Sequence, residues 1–157
     1  MKNKIILLSG FMFLSTIQSP AEAQQYGDWT VGGAQGYVEY RVQNGPGNEF
    51  NISCDEGASA DHSTTGIIVT IEGKPAPANS VVNIILDAQE TQHPTDEAGT
   101  ITPSCNACYA NLAQFWSHIH KAKSMLVQFG DGRHSSFSLK GAARAIPKKV
   151  CRTSSVN

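Results

Sequence analysis

The chain has 157 residues and a formal net charge of −1, with 40% apolar and only 16% charged residues. That length supports one modest hydrophobic core. With no basic excess and no long block of one charge, nucleic-acid binding is not expected.

The first segment reads as an export signal. Lys2 and Lys4 form a short positive stretch, and an apolar run follows from Ile5 to about Phe13. Ala21-Glu22-Ala23 supplies the small-x-small pattern that signal peptidase accepts, so the mature protein is expected to begin at Gln24. The apolar run is shorter than the roughly 20 residues that span a bilayer, and no Cys stands at the cleavage point to carry a lipid. Losing Lys2, Lys4 and Glu22 takes the formal charge from −1 to −2. The expected address is the bacterial periplasm, with release or envelope association as variants of it. No later segment is apolar enough to cross a membrane.

In the expected mature domain (residues 24–157), Tyr26 to Val31 is a short strand. In Tyr37 to Gln43, Val38, Tyr40 and Val42 alternate with Glu39, Arg41 and Gln43, the period of a half-buried strand. Asn44-Gly45-Pro46-Gly47-Asn48 is a turn, and Glu49 to Cys54 its hairpin partner, with Phe50, Ile52 and Cys54 on one face. A polar loop from Asp55 to Thr65 leads to a strand at Gly66–Ile71, and Gly73 to Asn79, with Pro75 and Pro77, is a connection. Ser80 to Leu86 is short, apolar and β-branched, which predicts a central strand. Ala88 to Pro103 is polar and carries Pro94, Gly99 and Pro103, so it is expected as a long loop with at most a short strand at Thr100–Thr102.

Leu112, Phe115, Trp116 and Ile119 recur at three- and four-residue steps, predicting an amphipathic helix from about Ala107 to Ala122. Ser124–Phe129 and His134–Leu139 flank the hairpin turn Gly130-Asp131-Gly132. Lys140 to Ile146 is expected as a short helix stopped by Pro147. The fold class is therefore mainly β with one or two helices (α+β): an antiparallel sandwich or partly closed barrel, its main helix late in the chain.

The cysteines are Cys54, Cys105, Cys108 and Cys151. An even count in an exported chain reads as two disulfides, with three connectivities open. A four-thiolate zinc site would want a second close pair, and only Cys105 and Cys108 are close.

Three segments resemble the invasion-associated locus B family of small exported bacterial proteins. Tyr26-Gly27-Asp28-Trp29-Thr30-Val31 resembles that family's opening strand. Cys105-Asn106-Ala107-Cys108-Tyr109-Ala110 resembles its second cysteine pair, ahead of a helix. Phe137-Ser138-Leu139-Lys140-Gly141-Ala142-Ala143-Arg144-Ala145 resembles its closing strand and short helix. Gly32-Gly33 stands where the family usually has a Cys, Ala142 where it has an aromatic, and Cys151 is an addition. The resemblance implies a Cys105–Cys108 bridge and leaves Cys54 to pair with Cys151. That loop encloses nearly the whole domain and would be worth about 4–5 kcal/mol in the chain-entropy model. Crossed pairings stay open. It further implies an envelope-associated β domain without enzymatic activity, in some cases linked to host-cell invasion.

Cys105-x-x-Cys108 at a helix start is the sharpest chemical motif, because a helix N-terminus favours thiolate and a close partner resolves a mixed disulfide. Against thioredoxin-like catalysis stand the polar Thr100–Ser104 lead-in, the lack of Trp or Gly-Pro beside the pair, and only ten residues after Pro147. His118 and His120 are two apart on a helix and face different ways, while His62 and His134 lie in polar loops, so no metal site is expected. Gly32-Gly33-Ala34-Gln35-Gly36 reads as a flexible turn, and Trp29, Trp116, Tyr37 and Tyr40 as core aromatics. Lys148, Lys149 and Arg152 read as a solvated basic tail.

The resulting expectation is a periplasmic or envelope protein without catalytic, metal or cofactor residues that binds another protein, with virulence or host interaction as the setting. Its binding residues and oligomeric state are not legible. The alternatives are an inhibitor or immunity protein against a periplasmic toxin or lysozyme, contacting its target through Asp55–Thr65 or Ala88–Thr102; a thiol-disulfide oxidoreductase using Cys105 and Cys108; and an accessory protein of a secretion or conjugation system.

Overall fold

A computed structural model describes residues 23–34, 36–55 and 65–151. The expected export signal, Gln35, residues 56–64 of the expected polar loop with Asp61 and His62, and the residues beyond Cys151 with Arg152 lie outside the described residues.

Among the described residues ten strands and two helices follow in chain order: β1 (Gln24–Tyr26), β2 (Trp29–Ala34), β3 (Tyr37–Gln43), β4 (Glu49–Asp55), β5 (Thr65–Ile71), β6 (Lys74–Pro75), β7 (Val81–Leu86), β8 (Gln89–Pro94), α1 (Asn106–Ile119), β9 (Met125–Phe129), β10 (His134–Phe137) and α2 (Ala142–Ala145). They form two antiparallel sheets, a six-stranded meander β1-β2-β3-β4-β5-β6 and a four-stranded sheet ordered β10-β9-β7-β8. Two sheets with a helix late in the chain are the expected sandwich rather than a closed barrel.

Alternation sets the register. Tyr40 lies opposite Ile52 and Val42 opposite Phe50, while on the other side of β4 Phe50 meets Val69 and Ile52 meets Ile67. In the smaller sheet Ile84 faces Val127 and Val82 faces Phe129. These side chains are all buried and meet in one core with Trp29, Leu112, Phe115 and Trp116. Phe50 joins the layers, its ring 5.8 Å from Phe137 and 6.1 Å from Phe115 between centroids. A one-residue slip in β4 would turn Phe50, Ile52 and Cys54 to solvent, so burial fixes the pairing.

Both flanks of the sandwich are partly tied. On one, Ile101 exchanges two backbone hydrogen bonds with Ile67 of β5, each 2.9 Å, and also bridges to Thr95 just past β8. On the other, the backbone N–H of Asp28 donates to the Lys140 carbonyl at 2.9 Å, and the Trp29 indole N–H donates to the Ser138 carbonyl at 2.9 Å. The Ser138 hydroxyl donates to the Asp28 carboxylate at 2.6 Å. Gly141 has a φ of +96°, and a Cβ there would stand 1.8 Å from the Tyr26 carbonyl oxygen. Only glycine fits this backbone-on-backbone approach. The opening segment Tyr26–Val31 and the closing segment Phe137–Ala145 thus touch, and what they share is a packing contact.

Several expected boundaries are corrected. Tyr26–Val31 is not one strand: the Gly27-Asp28 turn splits it into the β1–β2 hairpin. The glycine-rich Gly32–Gly36 is not a free turn, because Gly32, Gly33 and Ala34 pair with β3. Ala88–Pro103 is not a loop throughout: Gln89–Pro94 is β8, an edge strand paired with β7. The connection at Gly73–Asn79 includes the two-residue β6, and Thr100–Thr102 reduces to the bridges at Ile101. Helix α1 begins one residue before Ala107 and ends three before Ala122, and α2 is confined to Ala142–Ala145. The smaller shifts at the edges of β9 and β10 are one to two residues.

Candidate functional site

The four cysteines stand as two pairs at disulfide distance, Cys54 with Cys151 and Cys105 with Cys108, with Cα separations of 5.4 and 5.0 Å. Their settings differ. Cys54 is on the inward face of β4 and Cys151 lies on the core, both buried. The bridge ends a strap that begins where Gly141 crosses Tyr26 and runs along α1. The Trp116 indole N–H donates to the Pro147 carbonyl at 2.8 Å. His120 places Nδ1 2.9 Å from the Trp116 carbonyl and Nε2 3.2 and 3.1 Å from the carbonyls of Ile146 and Pro147. The Thr65 hydroxyl donates to the Cys151 carbonyl at 3.1 Å. Lys148 and Lys149 are exposed, as a solvated basic stretch should be, while the carbonyls of Pro147 and Cys151 on either side of them accept hydrogen bonds.

At the other end of α1, Cys105 is the N-cap, with extended backbone angles of −144° and 161°. Its sulfur accepts the Cys108 N–H at 3.1 Å, satisfying one of the otherwise free donors of the first turn. Cys105 is exposed, whereas Cys108 is 8% exposed and faces inward. No acidic side chain lies in the first turn to oppose negative charge on the sulfur. Tyr109, one turn on, is 44% exposed. It opens a shallow groove continued by Ala113, Trp116 and Ser117 and walled by Lys148 and Lys149.

His93 is the buried titratable group that the sequence reading passed over. It is 1% exposed on β8, with its ring edge-on to Phe115 at 6.0 Å and Nε2 2.8 Å from the Thr91 hydroxyl. Burial disfavours the imidazolium and lowers its pKa to about 4. The Asn111 side chain donates to the Gln92 carbonyl at 2.7 Å, fixing α1 over this strand. Because β8 is paired and half-buried, Ala88–Thr102 is not the open contact loop expected of an inhibitor.

Other expected site residues are not brought together. His118 turns to the Gln114 carbonyl at 2.8 Å while His120 turns to the strap, and His134 sits near the Gly132 carbonyl. No cluster of three metal-ligating side chains occurs among the described residues. Trp29, Trp116 and Tyr40 are buried, but Tyr37, at 46% exposure, is a surface residue and not core. Among the described residues no helix is long and apolar enough to cross a membrane.

The outer faces of the sheets contrast. That of the larger sheet is mostly polar, with Thr30, Ser53 and an Arg41–Glu39 ion pair that Asn51 joins through its amide at 3.3 Å from Glu39, and its apolar members Ile68 and Tyr37 are separated by these groups. That of the smaller sheet carries Ile85 directly opposite Leu126, with Val81 45% exposed on the same face. Asn83, Gln128 and Ser136 lie beside them, and on the β8 edge the exposed Glu90 stands directly opposite Ile85. A shallow depression of about 570 Å³ opens over Ile85 and Leu126, with Asp87 and Lys123 at its rim. The N–H of Lys123 and then the N–H and hydroxyl of Ser124 hold the Asp87 carboxyl below the usual carboxylate range.

A family model described as YfjT matches residues 27–146, most of the chain, and the chain belongs to that family. No curated protein and no solved structure matches it.

Proposed function

We propose that this member of the YfjT family is exported by cleavage after Ala23 and acts in the periplasm or envelope by binding another protein. The single observation that carries the reading is the outer face of the four-stranded sheet, where Ile85, Leu126 and Val81 form a half-apolar strip, with Glu90 on its β8 edge, that no helix among the described residues covers. Interfaces are depleted of charge at their centres and polar at their rims, which is the distribution here. The partner that fits presents a partly apolar patch with polar groups for Asp87, Glu90 and Lys123 at its rim. The resemblance to the invasion-associated locus B family supports host interaction as the setting.

Photo-crosslinking in intact cells tests this. With the crosslinker at Leu126, a discrete heteromeric product is expected; at Thr30, on the polar face of the other sheet, none is expected. Equal products at both positions, none at either, or only a homodimer would overturn the reading. Amino-terminal sequencing of the protein from fractionated cells is expected to begin at Gln24, and retention of Met1 would refute export by cleavage.

A further inference from the structure

We propose that the Cys105–Cys108 disulfide is a thiol-exchange site that captures cysteine-bearing polypeptides through Cys105. Exchange needs a sulfur that an incoming thiolate can reach in line and a leaving sulfur held close enough to return. The pair divides these roles, because Cys105 is exposed at the helix start and Cys108 is buried one turn inside. The N–H of Cys108, 3.1 Å from Cys105 Sγ, is placed to stabilise a thiolate there once the bond is open. A sequence separation of 3 means that opening the bond frees no distant segment. Cys54–Cys151, buried at both ends, keeps the strap in place meanwhile. The groove starting at Tyr109 lies on the turn next to Cys105 and offers an aromatic and two lysines to an extended chain delivering the thiol.

The step balances without any further reagent. A substrate thiolate forms a new S–S bond to Cys105 Sγ, the Cys105–Cys108 bond breaks, and Cys108 leaves as a thiolate that takes up a proton. A second thiol of the same substrate then attacks the substrate's sulfur in the mixed disulfide and displaces Cys105. The substrate ends with a disulfide, having given up two electrons and two protons, and the domain ends with two thiols. The event is a single exchange, and the site shares no residue with the sheet face proposed above.

Reduced glutathione serves as the probe on the full mature chain, with iodoacetamide quenching and peptide mapping by tandem mass spectrometry. Glutathione is expected on Cys105 with the alkyl group on Cys108, at least tenfold more often than the reverse. Oxidised glutathione added to the Cys108→Ser variant is expected to load Cys105, while the Cys105→Ser variant stays at least tenfold less modified. Adducts mainly on Cys108, or on Cys54 or Cys151 before Cys105, would overturn the proposal. So would a wild-type Cys105–Cys108 bond that stays closed after Cys54–Cys151 has opened.

Discussion

The two ends of α1 solve different problems with the same bond. At its C-terminal end the helix holds a strap by Trp116 and His120, and the strap is closed by a buried bridge with a sequence separation of 97. At its N-terminal end the bridge spans one turn and leaves a sulfur in solvent. A cross-link stabilises chiefly by restricting the unfolded chain, and that restriction grows with the loop it closes. Loop length and exposure together therefore separate a stabilising bond from an available one, although both pairs have similar Cα separations.

The largest test of this contrast is to remove each bond. Replacing Cys54 and Cys151 together by Ser should cost about 5 kcal/mol, while the same change at Cys105 and Cys108 should cost about 2 kcal/mol or less. Urea denaturation of the two double variants measures this, and equal losses would erase the distinction.

The start of the strap comes next. Gly141→Ala puts a methyl on the Tyr26 carbonyl and forces a left-handed φ on alanine, with an expected loss of about 3–4 kcal/mol. A loss below about 1 kcal/mol would mean that the strap is not anchored at its origin.

Acid should act on the middle of α1. The unfolded state binds a proton at His93 with the ordinary pKa of 6.5, and the folded state only near 4. Between these values the unfolded state holds more protons, so stability rises with pH and is complete above about 6.5. Lowering the pH from 7 through that window should remove about 3 kcal/mol, seen as a falling urea midpoint that is flatter in His93→Leu. An unchanged slope in that variant would assign the acid sensitivity elsewhere.

The smallest effect is expected at Trp116→Phe, which keeps the ring but loses the N–H donor to Pro147. A loss of about 1 kcal/mol, with faster hydrogen exchange confined to the strap, would sharpen the account. Exchange that accelerates equally throughout the domain would contradict it.

Much of this architecture was legible in the sequence where one face of an element is apolar and the other is not. Val38, Tyr40 and Val42, then Phe50, Ile52 and Cys54, announce strands by alternation, and Leu112, Phe115, Trp116 and Ile119 announce a helix. β8 escaped because its inward residues, Thr91 and His93, are as polar as its outward Glu90 and Gln92, leaving no alternation to read. Pro94 also reads as a loop signal, yet it is tolerated at the end of an edge strand. The burial of His93 depends on α1 arriving from later in the chain, and no local pattern carries that information. The outer face proposed for docking was equally hidden: Ile85 and Leu126 read as ordinary strand residues until register places them opposite each other on the outer side.

The most direct test of the contrast between the two bridges is stepwise reduction of the chain from Gln24 to Asn157 by dithiothreitol. Differential alkylation at each step would follow all four cysteines. The account predicts that Cys105 and Cys108 become alkylated at a reductant concentration at least tenfold below that needed for Cys54 and Cys151, with the fold retained. Simultaneous opening of both bridges, or earlier opening of Cys54–Cys151, would contradict it.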